Sequence, residues 1–220
     1  MEKITLKTEY RAVLILLATI GLSLWAYPQL PLRVASHWGF NGEVNGWMSR
    51  DFHSILFPAL MIVMYLMFLV IPYFDPKKER YLEFAKVYRL MRDAILFMLL
   101  GVYATASFYN LNYDINVGVI VATLLGILMI ILGNYFGKLK RNWFIGLRSP
   151  WALSSENVWN KTHRLGGRLF MIWGILIIIA PWLNFQAAMA ILLGGIALII
   201  ISVNVYAYQL YRQEKKQKIN

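Results

Sequence analysis

The chain has 220 residues, 59% of them hydrophobic and 15% charged, with a mean hydropathy of +0.54 and a formal net charge of +11 at pH 7. That balance excludes an ordinary water-soluble globular domain, and the absence of cysteine excludes a disulfide framework, a thiolate metal site and a cysteine nucleophile. The positive charge falls between apolar runs rather than along a nucleic-acid-binding face, so direct nucleic-acid binding is not expected and the bilayer is the first partner.

A helix rising 1.5 Å per residue needs about 20 apolar residues to cross about 30 Å of hydrocarbon. Runs of that kind lie near 12–29, 54–74, 94–111, 115–136, 169–184 and 187–209. They predict an all-α fold, a polytopic integral membrane bundle of about six transmembrane helices. The first run follows Lys3, Lys7 and Arg11 as in a signal sequence, yet no small-x-small cleavage pattern follows Ala26-Tyr27-Pro28, which predicts an uncleaved anchor. Of the 22 basic residues, all but Arg33 and Arg50 sit on alternating connections or at the two ends. The positive-inside rule therefore places both termini in the cytoplasm and the connections 30–53, 112–114 and 185–186 outside. The two short outer connections pair helices three with four and five with six as antiparallel hairpins. Gly118, Ala122 and Gly126, like Ala190 and Gly194, recur at four-residue intervals that favour close helix approach.

No ionisable residue interrupts the middle of an apolar run, which disfavours a proton-coupled carrier. Arg92 and Asp93 stand at the start of the third span, where snorkelling, or pairing of Arg89 with Asp93, accounts for them. In the outer connection His37, Glu43, Asp51 and His53 are candidate ligands for a divalent metal by residue type, but they form no His-Glu-x-x-His pattern, so neither a metal nor any other cofactor is expected. No nucleophile elbow or phosphate-binding loop is present, and the chain is expected not to be an enzyme.

Two connections carry more information than linkers need. The outer one, Leu30 to Trp47, sets Trp38, Phe40 and Trp47 among turn formers beside His37, either as headgroup anchors or as a ligand-facing surface. The inner one, Gly137 to Arg168, interleaves tryptophan with basic residues, a composition suited to anionic lipid headgroups. Within it Ser154 is a candidate N-cap, Glu156 falls in a favourable first turn and Leu153 with Val158 fits a hydrophobic staple. These predict a short interfacial helix in the 137–168 cytoplasmic connection, running to about Leu165, with Val158, Thr162 and Leu165 on one face, Lys161 and Arg164 on another, and Trp159 stacked on His163 at i, i+4.

The stretches Asn142-Trp143-Phe144-Ile145-Gly146-Leu147-Arg148-Ser149-Pro150-Trp151 and Trp159-Asn160-Lys161-Thr162-His163-Arg164 resemble the signature of the SdpI family of bacterial membrane proteins. The Pro31 to Trp47 stretch, with His37-Trp38 and Gly42, is similar to a module of unknown function that often precedes the SdpI region. The resemblance implies two parts, residues 1–75 with two spans and residues 76–220 with four. It implies a protein of the bacterial cytoplasmic membrane that gives immunity to a secreted antimicrobial peptide toxin and that also signals by sequestering a cytoplasmic transcriptional repressor. His37, Trp38, Phe40 and Trp47 would face the toxin. Asn142, Trp143, Gly146, Arg148, Pro150, Trp151, Trp159, Lys161, Thr162, His163 and Arg164 would form the cytoplasmic motif, as structure or as a docking site. A small-solute transporter or channel is the alternative function, and a metal-dependent membrane enzyme is a more remote one.

Overall fold

A computed structural model describes residues 5–39 and 42–217. In chain order it contains α1 (Leu6–Ala26), β1 (Arg33–Trp38), β2 (Val44–Ser49), α2 (Arg50–Phe74), α3 (Tyr81–Asn110), α4 (Val117–Phe136), α5 (Pro150–Ser154), α6 (Glu156–Ile179), α7 (Phe185–Met189) and α8 (Gly195–Gln217). A π-helical turn at Ala190–Gly194 joins α7 to α8. Among the described residues six segments are long and apolar enough to cross a membrane: Lys7–Ala26, Arg50–Phe74, Lys78–Asn110, Val117–Phe136, Glu156–Trp182 and Phe185–Gln217. The fold is the expected polytopic helical one, with a single addition among the described residues: the outer connection is folded as an antiparallel β-hairpin. The chain divides into two compact units, residues 5–39, 42–69 and 92–125 in one and residues 70–91 and 126–217 in the other.

In the first unit, Ala12, Met61 and Leu96 bring α1, α2 and α3 together with no exposure, and Ile15, Leu16, Met64 and Leu100 pack around them. Small residues let polar groups bridge the helices, as where Ser23 Oγ donates to Ser54 O at 2.7 Å. Gly101 of α3 leaves room for Leu124 of α4, whose methyl carbon would lie 2.8 Å from any added Cβ.

Beside this apolar core sits a charged one. Arg92 is 1% exposed; its Nη1 meets Glu9 Oε2 at 2.5 Å and its Nη2 meets Asp93 Oδ1 at 2.8 Å. Tyr65 OH donates to Glu9 Oε2 at 3.2 Å, and the guanidinium lies 5.1 Å from the centre of the Tyr65 ring. Snorkelling is therefore not what accommodates Arg92. Its charge is buried against two carboxylates, one of them from α1.

In the second unit, α4 and α6 touch main chain to main chain. A Cβ built on Gly126 would lie 2.5 Å from Gly174 O, one on Gly174 would lie 2.6 Å from Gly126 O, and Gly133 and Gly167 oppose each other in the same reciprocal way. The close approach uses a seven-residue spacing on both helices. It does not use Gly118, which meets only Asn116, or Gly194, which meets nothing within 4 Å. We expect Gly133→Ala or Gly167→Ala to cost about 1–3 kcal/mol, since backbone cannot move aside for the methyl group. Gly118→Ala and Gly194→Ala should be neutral or slightly stabilising. Thermal unfolding of the four variants in detergent separates the two classes.

Helix α6 packs on α8, as the predicted antiparallel pairing of the last two spans requires, and Asn157 Nδ2 donates to Glu214 Oε1 at 2.5 Å. In the π-helical turn Trp173 Nε1 donates to Ile191 O at 2.8 Å, and its indole lies over Gly195. The segment expected as a separate helix from Ser154 to Leu165 is the beginning of α6, which runs unbroken to Ile179 with Ser155, not Ser154, as its N-cap. Gly166 and Gly167 do not interrupt it, because Leu147 and Gly133 occupy the space their side chains would take. The short helix of this connection is α5, opened by the N-cap Ser149 with Pro150 in its first turn.

Candidate functional site

The inner connection has no regular structure between Lys138 and Ser149, so side chains must satisfy its main chain. Asn142, with no exposure, does much of this. Its Oδ1 accepts from Phe144 N at 2.9 Å and Ile145 N at 2.7 Å, while its Nδ2 donates to Lys140 O at 2.9 Å and Ile145 O at 3.0 Å. Asp75, 2% exposed, holds the same loop from the end of α2: Oδ2 accepts from Trp143 N at 2.8 Å and Tyr81 OH at 3.0 Å, and Oδ1 from Lys77 N at 2.7 Å. Arg148 Nη1 donates to Trp143 O at 2.7 Å.

The next residues are folded around His163. Its Nδ1 faces Trp159 O at 2.9 Å and its Nε2 faces Leu147 N at 3.0 Å. A carbonyl oxygen only accepts and a backbone N–H only donates, so the ring carries its proton on Nδ1 and accepts at Nε2. Both nitrogens are thereby engaged. Trp159 stacks on His163 with ring centres 3.9 Å apart and donates from Nε1 to Leu139 O at 2.8 Å. Gly146 has φ +108°, and a side chain there would run into His163 Nε2, so both backbone conformation and space require glycine.

Five charged residues close the rim. Arg80 pairs with Glu156 and with Glu83 (3.2 Å), Lys140 with Glu83 (3.7 Å), and Arg141 with Glu156 (3.7 Å) while donating to Leu153 O at 3.2 Å.

The cytoplasmic motif thus divides by environment. Asn142, Trp159, Thr162 and His163 are buried with no exposure, Gly146 shapes the loop, Pro150 starts α5 and Trp151 packs edge-on to Tyr208 at 5.2 Å. Trp143 is 50% exposed and Phe144 38% exposed, and Arg148, Lys161 and Arg164 are exposed as well. The expected Val158 and Thr162 face is buried, but against protein rather than lipid: α6 begins as a packed helix. Leu139 and Leu147 of the same connection take part through their main chain, and Asp75 and Tyr81, outside the stretches the sequence marks, belong to the same arrangement. Asp75, set between Phe74 and Pro76 where α2 stops, is the one with a visible signal.

In the outer connection His37 Nδ1 pairs with Asn45 Oδ1, and Trp38 packs edge-on to Tyr109 at 5.2 Å. Gly46 is opposite His37 and leaves only 2.8 Å for a Cβ there. Trp47 is 54% exposed, and Phe40 lies outside the described residues. The four metal candidates do not converge. Asp51 Oδ1 accepts from Tyr27 OH at 2.8 Å, His53 is 1% exposed with Nε2 3.1 Å from Ser107 Oγ, and among the described residues no group of three or more His, Asp or Glu side chains is placed to hold an ion.

Six membrane-crossing helices joined by a connection folded on its own buried polar side chains define a multi-pass membrane protein, and its relatives place it in a bacterial membrane. Residues 138–207 match the SdpI/YfhL protein family, and residues 14–62 match DUF1648, a domain of unknown function. Over 208 residues the chain is 25% identical to "Immunity protein SdpI" of Bacillus subtilis (strain 168), covering 94% of this chain and 98% of that protein. No solved structure matches it.

Proposed function

We propose that this is a membrane immunity protein, without enzymatic activity of its own, that protects a bacterium from a secreted antimicrobial peptide. The observation that carries the reading is the similarity to a protein named for immunity, which runs nearly end to end in both chains. The chemistry of the inner motif supports a non-catalytic role. Its histidine has both ring nitrogens engaged by main chain and its asparagine is consumed in shaping a loop, so neither is free to act on a substrate.

A second role, holding a cytoplasmic repressor, would fall to the exposed side chains Trp143, Arg148, Lys161 and Arg164. Lys161 and Arg164 are the better residues to reverse in sign, because Arg148 also holds the Trp143 carbonyl. Loss of a co-purifying protein in Lys161→Glu/Arg164→Glu would support that role, and unchanged recovery would remove it from these charges.

The test of the main reading is expression in a sensitive strain, followed by challenge with a panel of secreted bacterial peptides. Survival specific to one peptide is the expected result. Equal killing with and without the protein across the panel contradicts it.

A further inference from the structure

We propose that the outer edge of β2 is a docking site for an extended peptide, which adds to the hairpin as a third strand by pairing with the main chain of Trp47. The proposal rests on the immunity reading, because it states how the secreted peptide is held.

The argument begins from the ladder. Arg50 N donates to Leu32 O at 3.0 Å, and the partners that follow are Arg33 with Ser49, Val34 with Met48 and Ala35 with Trp47. Antiparallel pairs alternate between those that exchange hydrogen bonds and those whose N–H and C=O groups turn outward. Leu32 and Arg50 are a bonded pair, so Val34 and Met48 are another, and Ala35 and Trp47 point their main chains away from each other.

On the β1 side that outward pair of groups is closed. Asn110 Oδ1 accepts from Ala35 N at 2.7 Å and Asn110 Nδ2 donates to Ala35 O at 3.0 Å, so one side-chain amide takes the place of a neighbouring strand. Ala35 is accordingly buried with no exposure. On the β2 side nothing equivalent is present: among the described residues no side chain or loop group bonds the main chain of Trp47, and Asn45, Trp47 and Ser49 are all exposed. A short row of outward N–H and C=O groups is complementary to another extended backbone and to little else. The exposed indole of Trp47 beside it supplies an aromatic anchor for a side chain of the incoming strand. The distribution of basic residues puts this edge on the outer side of the membrane, where a secreted peptide arrives.

Two measurements test the proposal on the full chain. The first needs no ligand: amide exchange of the detergent-solubilised protein by NMR. The Trp47 N–H should exchange at least about tenfold faster than the Met48 N–H, which lies in the ladder; equal protection of the two would mean that the edge is already closed and would overturn the proposal. The second compares wild type, Trp47→Ala and Trp47→Pro in the challenged strain. Both variants lose the indole, but only proline removes the outward N–H, and it does so at an edge position where the hairpin ladder keeps all its bonds. The tolerated peptide concentration should fall about tenfold further in Trp47→Pro than in Trp47→Ala at equal membrane levels. Equal protection by the two variants sinks the docking edge and leaves the immunity reading standing, whereas a wild type that protects against nothing sinks both. If Trp47→Pro fails to accumulate, the exchange measurement decides alone. A wild-type dimer that Trp47→Pro abolishes would assign the edge to a second copy of the chain, against the proposal.

Discussion

Arg92→Ala should be the most damaging single change described for this chain, at about 3–5 kcal/mol of lost stability. Removing the guanidinium leaves Glu9 and Asp93 as like charges, 8% and 15% exposed at their side chains, with no cation between them. It also removes the cation from the face of the Tyr65 ring. The loss belongs to the orphaned carboxylates rather than to the ion pair as such, and that distinction is measurable. A combined variant, Glu9→Gln/Arg92→Met/Asp93→Asn, should recover much of what Arg92→Ala loses, because a neutral group of similar volume avoids the cost of burying charge. Thermal unfolding in detergent, followed by tryptophan fluorescence, gives both values. A single mutant as stable as wild type would mean that water reaches the cluster freely.

Asn142→Ala is the second large effect. Substitution strands the N–H groups of Phe144 and Ile145 and removes the donor to Lys140 O and Ile145 O in one step. A buried group left unpaired costs about 1–3 kcal/mol and these are part-buried, so the loss lies towards the lower end for each and sums to about 2–4 kcal/mol after partial repair by water. Asn142→Asp is the informative comparison. It keeps the acceptor but loses both donors, and it sets a second carboxylate beside Asp75, since the hydroxyl of Tyr81 lies 3.0 Å from Asp75 Oδ2 and 3.4 Å from Asn142 Oδ1. It should be no more stable than Asn142→Ala. If Asn142→Asp instead matches wild type, the two donor bonds contribute nothing and the loop is held by the acceptor and Asp75 alone.

The number of the spans was legible in the sequence because hydrophobicity over about 20 residues is a property of a segment, whereas α3 and α6 start at Tyr81 and Glu156, well before the apolar runs 94–111 and 169–184, because their first turns are polar and basic and are held helical by packing. The stacking of Trp159 on His163 was legible for the same kind of reason: residues four apart on a helix share a face whatever surrounds them. What escaped notice depends on partners distant in the chain. Glu9 stands among polar and basic residues at the entrance to α1 and has no local peculiarity; only α3, eighty-three positions later, makes it half of a buried pair. The small-residue spacing was legible in part: the repeat Gly118, Ala122, Gly126 contains Gly126, which the contact uses, but the contact's own spacing is seven residues, Gly126 with Gly133 and Gly167 with Gly174, and leaves out Gly118 and Gly194. The hairpin was concealed by its own irregularity, since the register shifts on either side of His37 break the alternation by which a strand is read. In the inner motif the residue types were seen and their division was not, because burial of Asn142 and exposure of Trp143 are decided by a loop whose path no periodicity encodes.

The reciprocal glycine contacts between α4 and α6 bear on what kind of motion this half of the molecule can pass along. Sliding α6 by one helical turn would set Gly174 against Ile130, whose Cγ1 already lies 2.9 Å from the position of its missing Cβ. Two helices notched together at a pair of points seven residues apart have one register and no neighbouring one. They can pivot about the notches but cannot act as a piston, so a stimulus carried through this pair must be a tilt.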